Sequence, residues 1–235
     1  DSELLTHQIE NALLARDNSE KNFETITYYQ DSFRKSVSSN DVEELTQALE
    51  NKEYVVYYQP KFDLAKRQFI SSEALIRWNS KKYGLLAPTK FLNKAESIGL
   101  IHDIDIYVLR QVCEDLNELI RRGRRVLPVS VNFSLYEFYS ANFLDTIMGI
   151  LDEFKVPANL IEIEITEATS QANQFLSISI IKKLKENVKC KIHLHTHNTT
   201  GTGDMTYLKA AEAGVDIVDC ALSPFANGTA NPSTE

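Results

Sequence analysis

Basic charge, cysteine and long apolar runs are all in short supply in this chain of 235 residues. Lys and Arg total 25 against 33 Asp and Glu, a formal net charge of -8. Such a balance excludes broad contact with the phosphate backbone of DNA, which calls for a basic surface. It leaves room for a small anion held by a few local groups. The three cysteines, Cys113, Cys190 and Cys220, are odd in number, far apart and form no CxxC pair. That excludes a disulfide framework and points to buried thiols in a reducing cytoplasm. No run of about 18 apolar residues and no charged-then-apolar leader is present, so neither a membrane span nor a signal peptide is expected.

What is there suits a globular α/β chain: 43% of the residues are apolar, enough to bury a core in one large domain or two small ones. Residues 1–50 form a polar, helix-prone lead-in. Ile9, Leu13 and Leu14 lie on one stripe, and Val42, Leu45 and Leu49 on another. Ser38, Ser39, Asn40 and Asp41 offer N-cap candidates, predicting a helix that runs to about Asn51. Short β-rich runs then alternate with helical stretches. The runs are Tyr54 to Gln59, Phe69 to Trp78, Val126 to Phe133, Leu160 to Thr166, Cys190 to Thr196 and Val215 to Cys220. Helices are predicted over Asp105 to Arg122 and Gln174 to Asn187. This alternation means βαβ units and a mainly parallel sheet.

Side chains two apart on a strand point the same way, so parity shows which residues share a face. Ile161, Ile163 and Ile165 face one side, and Glu162, Glu164 and Thr166 the other. The same split sets Ser130 and Asn132 against Val129 and Val131, puts Glu73 with Arg77, and puts Tyr57 with Gln59. Unpaired carboxylates are costly to bury between covered faces, so they should meet water or cations. Polar groups on one parity of four strands are what a (βα) barrel presents near the mouth of its lumen.

The chain resembles the EAL domain family through six motifs in its order and spacing. These are Tyr57-Tyr58-Gln59-Pro60-Lys61, Ser72-Glu73-Ala74-Leu75-Ile76-Arg77-Trp78, Pro88 with Phe91, Ala95-Glu96-Ser97-Ile98-Gly99-Leu100-Ile101, Val129-Ser130-Val131-Asn132-Phe133-Ser134 and Glu162-Ile163-Glu164-Ile165-Thr166-Glu167. That family hydrolyses or binds cyclic di-GMP. The resemblance implies a TIM-type barrel over residues 51–190 and a divalent-metal site formed by Glu73, Asn132 and Glu164, with Glu73 and Glu164 catalytic. Gln59, Glu73 and Arg77 would contact the dinucleotide, and Pro88 and Phe91 would line its pocket. Oxygen donors suit Mg²⁺ or Mn²⁺, and the Arg77 fork suits phosphate. The lead-in is similar to the tail that follows a GGDEF domain, although no GGDEF motif is present.

The pattern breaks after Lys191. The family requires Asp-Asp-Phe-Gly-x-Gly at the next strand end; here only Gly201 and Gly203 of that motif are found. Asp219 stands near the place of a required Lys, and six of the barrel's eight strands can be counted. From Ile192 to Glu235 the chain instead resembles the carboxyltransferase domain of biotin-dependent enzymes such as the oxaloacetate decarboxylase α-subunit and pyruvate carboxylase. The matching text is Ile192-His193-Leu194-His195-Thr196-His197-Asn198-Thr199-Thr200-Gly201-Thr202-Gly203, Tyr207 to Ala221, and Ser223 to Thr229. Composition shifts too: this stretch holds three of five histidines, four of eight glycines and, in Lys209, one of 25 basic residues. The resemblance implies that His195 and His197 bind a transition metal such as Zn²⁺, and two imidazoles at i and i+2 can share one ion.

Three functions follow from these resemblances. The first is a cytoplasmic EAL-type phosphodiesterase whose turnover is impaired or lost because the Asp pair and the Lys are missing. The second is a cyclic di-GMP sensor or scaffold without catalysis, and the third a carboxyltransferase fragment. A barrel short of two strands is further expected to self-associate, as a homo-oligomer or otherwise.

Overall fold

The computed structural model describes residues 39–133, 138, 142–166, 171–198 and 201–234. The stripe of Ile9, Leu13 and Leu14 lies outside them. Helix α1 spans Ser39–Glu50, within a residue of the predicted limits, and turns Leu45 and Ala48 into the core. The Tyr54 hydroxyl donates to the Leu45 carbonyl at 3.3 Å and ties the end of this helix to the first strand.

Strands β1 (Tyr54–Asp63) and β2 (Gln68–Ser80) pair antiparallel through a tight hairpin in which Arg67 takes a positive φ of 52°. The mainly parallel sheet predicted from the sequence therefore begins with an antiparallel pair. The four residues between the strands are far too few for a parallel crossover, which takes a dozen or more. A short β3 (Gly84–Leu86) adds antiparallel to β2; three residues are too few to show an alternation. A 3₁₀ turn over Pro88–Lys90 and helices α2 (Leu92–Ser97) and α3 (Ile101–Arg121) lead to β4 (Val129–Phe133). Helix α4 (Phe143–Phe154), β5 (Ile161–Thr166), α5 (Gln171–Asn187), β6 (Lys191–His195), α6 (Gly203–Glu212) and β7 (Ile217–Val218) complete the chain order. The strands run β1-β2-β4-β5-β6-β7, parallel from β2 onward, with β3 off this path. This is part of a (βα) barrel: among the described residues β1 and β7 are not paired with each other, so the sheet keeps two edges.

The core sits on one face of the sheet. Ala74, Ile76, Trp78, Val129, Val131, Phe133, Ile161, Ile163, Ile165, Ile192 and Leu194 are buried in one hydrophobic cluster with Leu109, Val112 and Leu116 of α3, Ile147 and Leu151 of α4, and Ile181 and Leu184 of α5. Each isoleucine so covered contributes about 1.5 to 3 kcal/mol. Phe91 was expected to line a ligand pocket. It is instead a core residue, 1% exposed, with its ring centroid 5.4 Å from that of Tyr54 and 5.9 Å from that of Trp78. Pro88, half-buried, opens the adjoining turn. Beyond β7 the chain folds back over the end of β6: Ala221 bridges to Ser233, and the Asn231 side chain donates to the Thr196 carbonyl at 2.9 Å. Gly203 is needed where this segment passes, since a Cβ there would lie 2.7 Å from Pro232 Cγ.

Apolar side chains are exposed at the β1–β2 hairpin (Phe62, Leu64, Phe69, Ile70) and on the returning segment (Leu222, Phe225). Two open edges and exposed apolar groups favour association of copies. We expect light scattering to show a mass above that of one chain at micromolar concentration. A monomer with a sharp, high thermal transition would contradict this.

Candidate functional site

The second face of the sheet is polar, as its parity predicts, and the register brings its side chains into rows. Gln59 lies opposite Glu73 in the β1–β2 pair, Glu73 opposite Ser130, and Ser130 opposite Glu162. One step along, Asn132 lies opposite Glu164, and Glu164 opposite His193. His195 ends the next row, paired with Thr166. Asn132 donates to Glu73 Oε1 at 3.0 Å, so two of the expected metal ligands bond each other. Gln59 is exposed. Arg77 donates to its neighbour's carbonyl, Ile76, at 2.8 Å and lies over the Tyr57 ring at 5.8 Å.

Glu164 is among the most deeply buried carboxylates, with a side chain 3% exposed. His193, 1% exposed, places Nδ1 3.0 Å from Glu164 Oε2 and Nε2 2.9 Å from Asp219 Oδ1. Lys61 reaches in from β1, its ammonium 3.1 Å from Ser130 Oγ and 3.6 Å from Glu164 Oε2. These contacts are ionic, but their directions leave Glu164 Oε2 and His193 Nε2 without a well-aimed hydrogen bond; Glu162 Oε2 is also buried without one. Burial alone disfavours the His193 imidazolium, yet Asp219 and Glu164 outweigh it and push its pKa up to about 9. Burial likewise opposes the charged forms of Glu164 and Asp219. The facing histidines overcome it and hold both carboxyls below their usual range, with Lys61 helping at Glu164.

At the mouth, His195 Nδ1 sits 2.6 Å from Asp219 Oδ2, a contact that raises its pKa against the opposing effect of burial. Its Nε2 lies 3.3 Å from His197 Nε2, and His197 Nδ1 bonds the Thr229 carbonyl at 2.8 Å. The histidine pair expected to share one ion is thus in contact, though only His195 is on a strand. One ligand atom from each of Glu164, His195 and Asp219 lies within 4.8 Å of the others. Glu164 and His195, expected to serve separate metal sites, therefore come together. Asn198, near the position of the family's Asp pair, does not join them: its Oδ1 accepts from the Gly203 N–H at 2.9 Å and its amide donates to Asn227.

Three residues here escaped the sequence reading of the site: Lys61, His193 and Asp219. Lys61 and His193 did carry a signal, since they share parity with Gln59 and His195 respectively. Chemically, the face can bind cations through Glu73, Asn132, Glu164, His195 and Asp219, and anions through Arg77 and Lys61.

The EAL domain family matches residues 42–218, running through the change in character at Ile192. The cyclic di-GMP phosphodiesterase NbdA of Pseudomonas aeruginosa is 35% identical over 144 residues, 61% of this chain and 18% of its own length. From the same organism, the bifunctional diguanylate cyclase/cyclic di-GMP phosphodiesterase MucR is 30% identical over 193 residues, 80% of this chain and 28% of its own. The chain thus spans under a third of the length of these relatives. The solved FimX EAL domain of Xanthomonas citri, in complex with c-diGMP, is alike in fold. It superposes with a TM-score of 0.63 at 21% identity, over 76% of this chain and 68% of that one.

Removing the imidazole of His193 would strand the buried Glu164 carboxylate and take one of two histidine partners from the half-buried Asp219. We expect His193→Phe to lower the unfolding free energy by about 3 to 5 kcal/mol in urea titrations, the usual cost of breaking a buried ion pair from one side. Adding Glu164→Gln should recover part of it. An unchanged midpoint would show that the imidazole carries no such charge.

Proposed function

The chain belongs to the EAL domain family, and we propose that its polar sheet face binds cyclic di-GMP while hydrolysing it slowly or not at all. The observation that carries this reading is the gathering of Gln59, Glu73, Asn132 and Glu164 on one face, with Arg77 on the same parity of β2. Arg77 and Gln59 would hold the dinucleotide from its phosphate side. Glu73, Asn132 and Glu164 fit a hard Mg²⁺ or Mn²⁺ by donor type, and the poorly bonded Glu164 Oε2 supports the assignment. An ion held by these residues would supply Lewis-acid polarisation of a phosphoryl oxygen and activation of water.

Two features weigh against turnover. The Asp pair that would complete a second metal position is absent, and Asn198, near its place, is bonded into the loop before α6. In addition, Lys61 and His193 already neutralise Glu164. Binding without cleavage, a sensor or scaffold, is favoured by the same tethered charge. The stretch from Ile192 onward we read, on its resemblance alone, as a carboxyltransferase-like graft completing the sheet, although the EAL match continues through residue 218; decay of oxaloacetate in its presence would test that chemistry. We place the domain in the cytoplasm, in keeping with three free thiols.

Calorimetric titration with cyclic di-GMP, followed by an assay for the linear dinucleotide, tests the proposal. Binding is expected with a loss of about 1.5 to 3 kcal/mol in Arg77→Ala, the range for a charge-assisted hydrogen bond. Equal affinity in Arg77→Ala would remove that residue from the site. Cleavage with Mg²⁺ at roughly 1 to 10³ s⁻¹, the ordinary span of enzymes, would refute impaired turnover.

A further inference from the structure

We propose that the end of the sheet opposite the candidate site is a docking face for an anionic lipid surface, with the tip of the β1–β2 hairpin entering the headgroup layer and the basic loops beside it resting on lipid phosphates and carboxylates. The proposal is independent of nucleotide binding. Although the chain carries a net charge of -8, cations collect at this end. The parallel strands β2, β4, β5, β6 and β7 all start here. The loops that precede them hold Arg67, Arg122, Arg124, Arg125, Lys155 and Lys189, every one exposed. The carboxylate in these loops is Asp216, and Lys185 neutralises it at 2.8 Å. Glu118 reaches both Arg121, at 3.8 Å, and Arg122, at 2.6 Å. One carboxylate thus faces two guanidiniums before Arg124 and Arg125 are counted.

The hairpin gives the face its apolar part. Ser72 pairs with Val129, the first residue of β4. Gln68 to Ser71 therefore carry β2 beyond its parallel neighbour by about 13 Å, at about 3.3 Å per residue. Leu64 in the projecting turn is 85% exposed. Phe62 and Phe69 meet edge to face with centroids 5.2 Å apart, and about half of each stays in water. Leu119 and Ile120 are exposed beside the arginines. Apolar groups flanked by cations are held at a lipid interface by two forces, burial at the acyl boundary and attraction to anionic headgroups. A nucleic acid would use the arginines and leave Leu64, Phe62 and Phe69 in water, and an acidic peptide calls for a groove rather than a projecting point. A lipid surface uses both features. The C-terminal ends of β4, β5 and β6, where the candidate site lies, would point away from the lipid.

The test sediments the full chain with vesicles of phosphatidylcholine alone and with vesicles of phosphatidylcholine and phosphatidylserine in equal parts. Binding is expected to the mixed vesicles and little to the neutral ones. It should fall as salt rises from about 0.05 to about 0.5 M and the screening length shortens. Arg124→Ala combined with Arg125→Ala should weaken it about 25-fold, from about fivefold for each basic residue near the surface. Leu64→Asp should weaken it at least about tenfold and leave the salt dependence in place; circular dichroism checks that this exposed position tolerates the change. Equal binding to both kinds of vesicle, or native affinity in the double arginine variant, would overturn the proposal. So would a Leu64→Asp chain that binds mixed vesicles like the native one but no longer self-associates, because the tip would then serve a second copy. Retention of polyglutamate without binding to either vesicle would assign the basic loops to an acidic protein instead.

Discussion

A buried imidazole held between two carboxylates organises the polar half of this protein. His193 links Glu164 on β5 to Asp219 beyond β7, across three consecutive positions in the sheet. The apolar face would fold against its helices in any case. The other face confines charged groups away from water, where each needs a partner of opposite sign. Strand β7 has only two residues. The charged contacts to Asp219, together with the Asp219 N–H bond to the Leu194 carbonyl at 3.3 Å, do much of the work of fixing that edge.

The same constraint shapes function. Glu164 and Asp219 are surrounded by His193, His195 and Lys61, so a cation arriving at this face competes with charges already in place. Glu73 and Asn132, bonded to each other, could serve as ligands only at the cost of that hydrogen bond. A hard cation therefore gains less here than from an all-oxygen cage, whereas a transition metal can exploit the imidazole of His195. In the proposed reading, Arg77 and Gln59 would recognise the anion from β1 and β2, away from this competition. Binding and cleavage of a phosphodiester would then separate physically.

Much of this was legible in the sequence, for a definite reason: parity is a local property. Alternation in 161–166 and 129–133 fixed which residues face the polar side, and the Ser39–Glu50 helix followed from its caps and period. Strand direction is not local, so the antiparallel β1 could not be read from alternation. Phe91 fits a pocket motif by resemblance, yet its ring finds more apolar surface against Tyr54 and Trp78. Asp219 follows a two-residue strand with no pattern of its own and meets His195 across 24 residues of chain. A lysine such as Lys61 near a strand end ordinarily reads as a solvated charge.

The charge on His193 is the central claim, and the ¹⁵N shifts of its imidazole in the metal-free chain across pH measure it directly. An ordinary histidine loses its proton near 6.5. Partnered by Glu164 and Asp219, His193 should remain doubly protonated through neutrality and titrate near pH 9. The stability it lends would then be complete below about pH 6.5 and disappear as pH rises through about 9. A His193 ring already neutral at pH 7 would contradict the account.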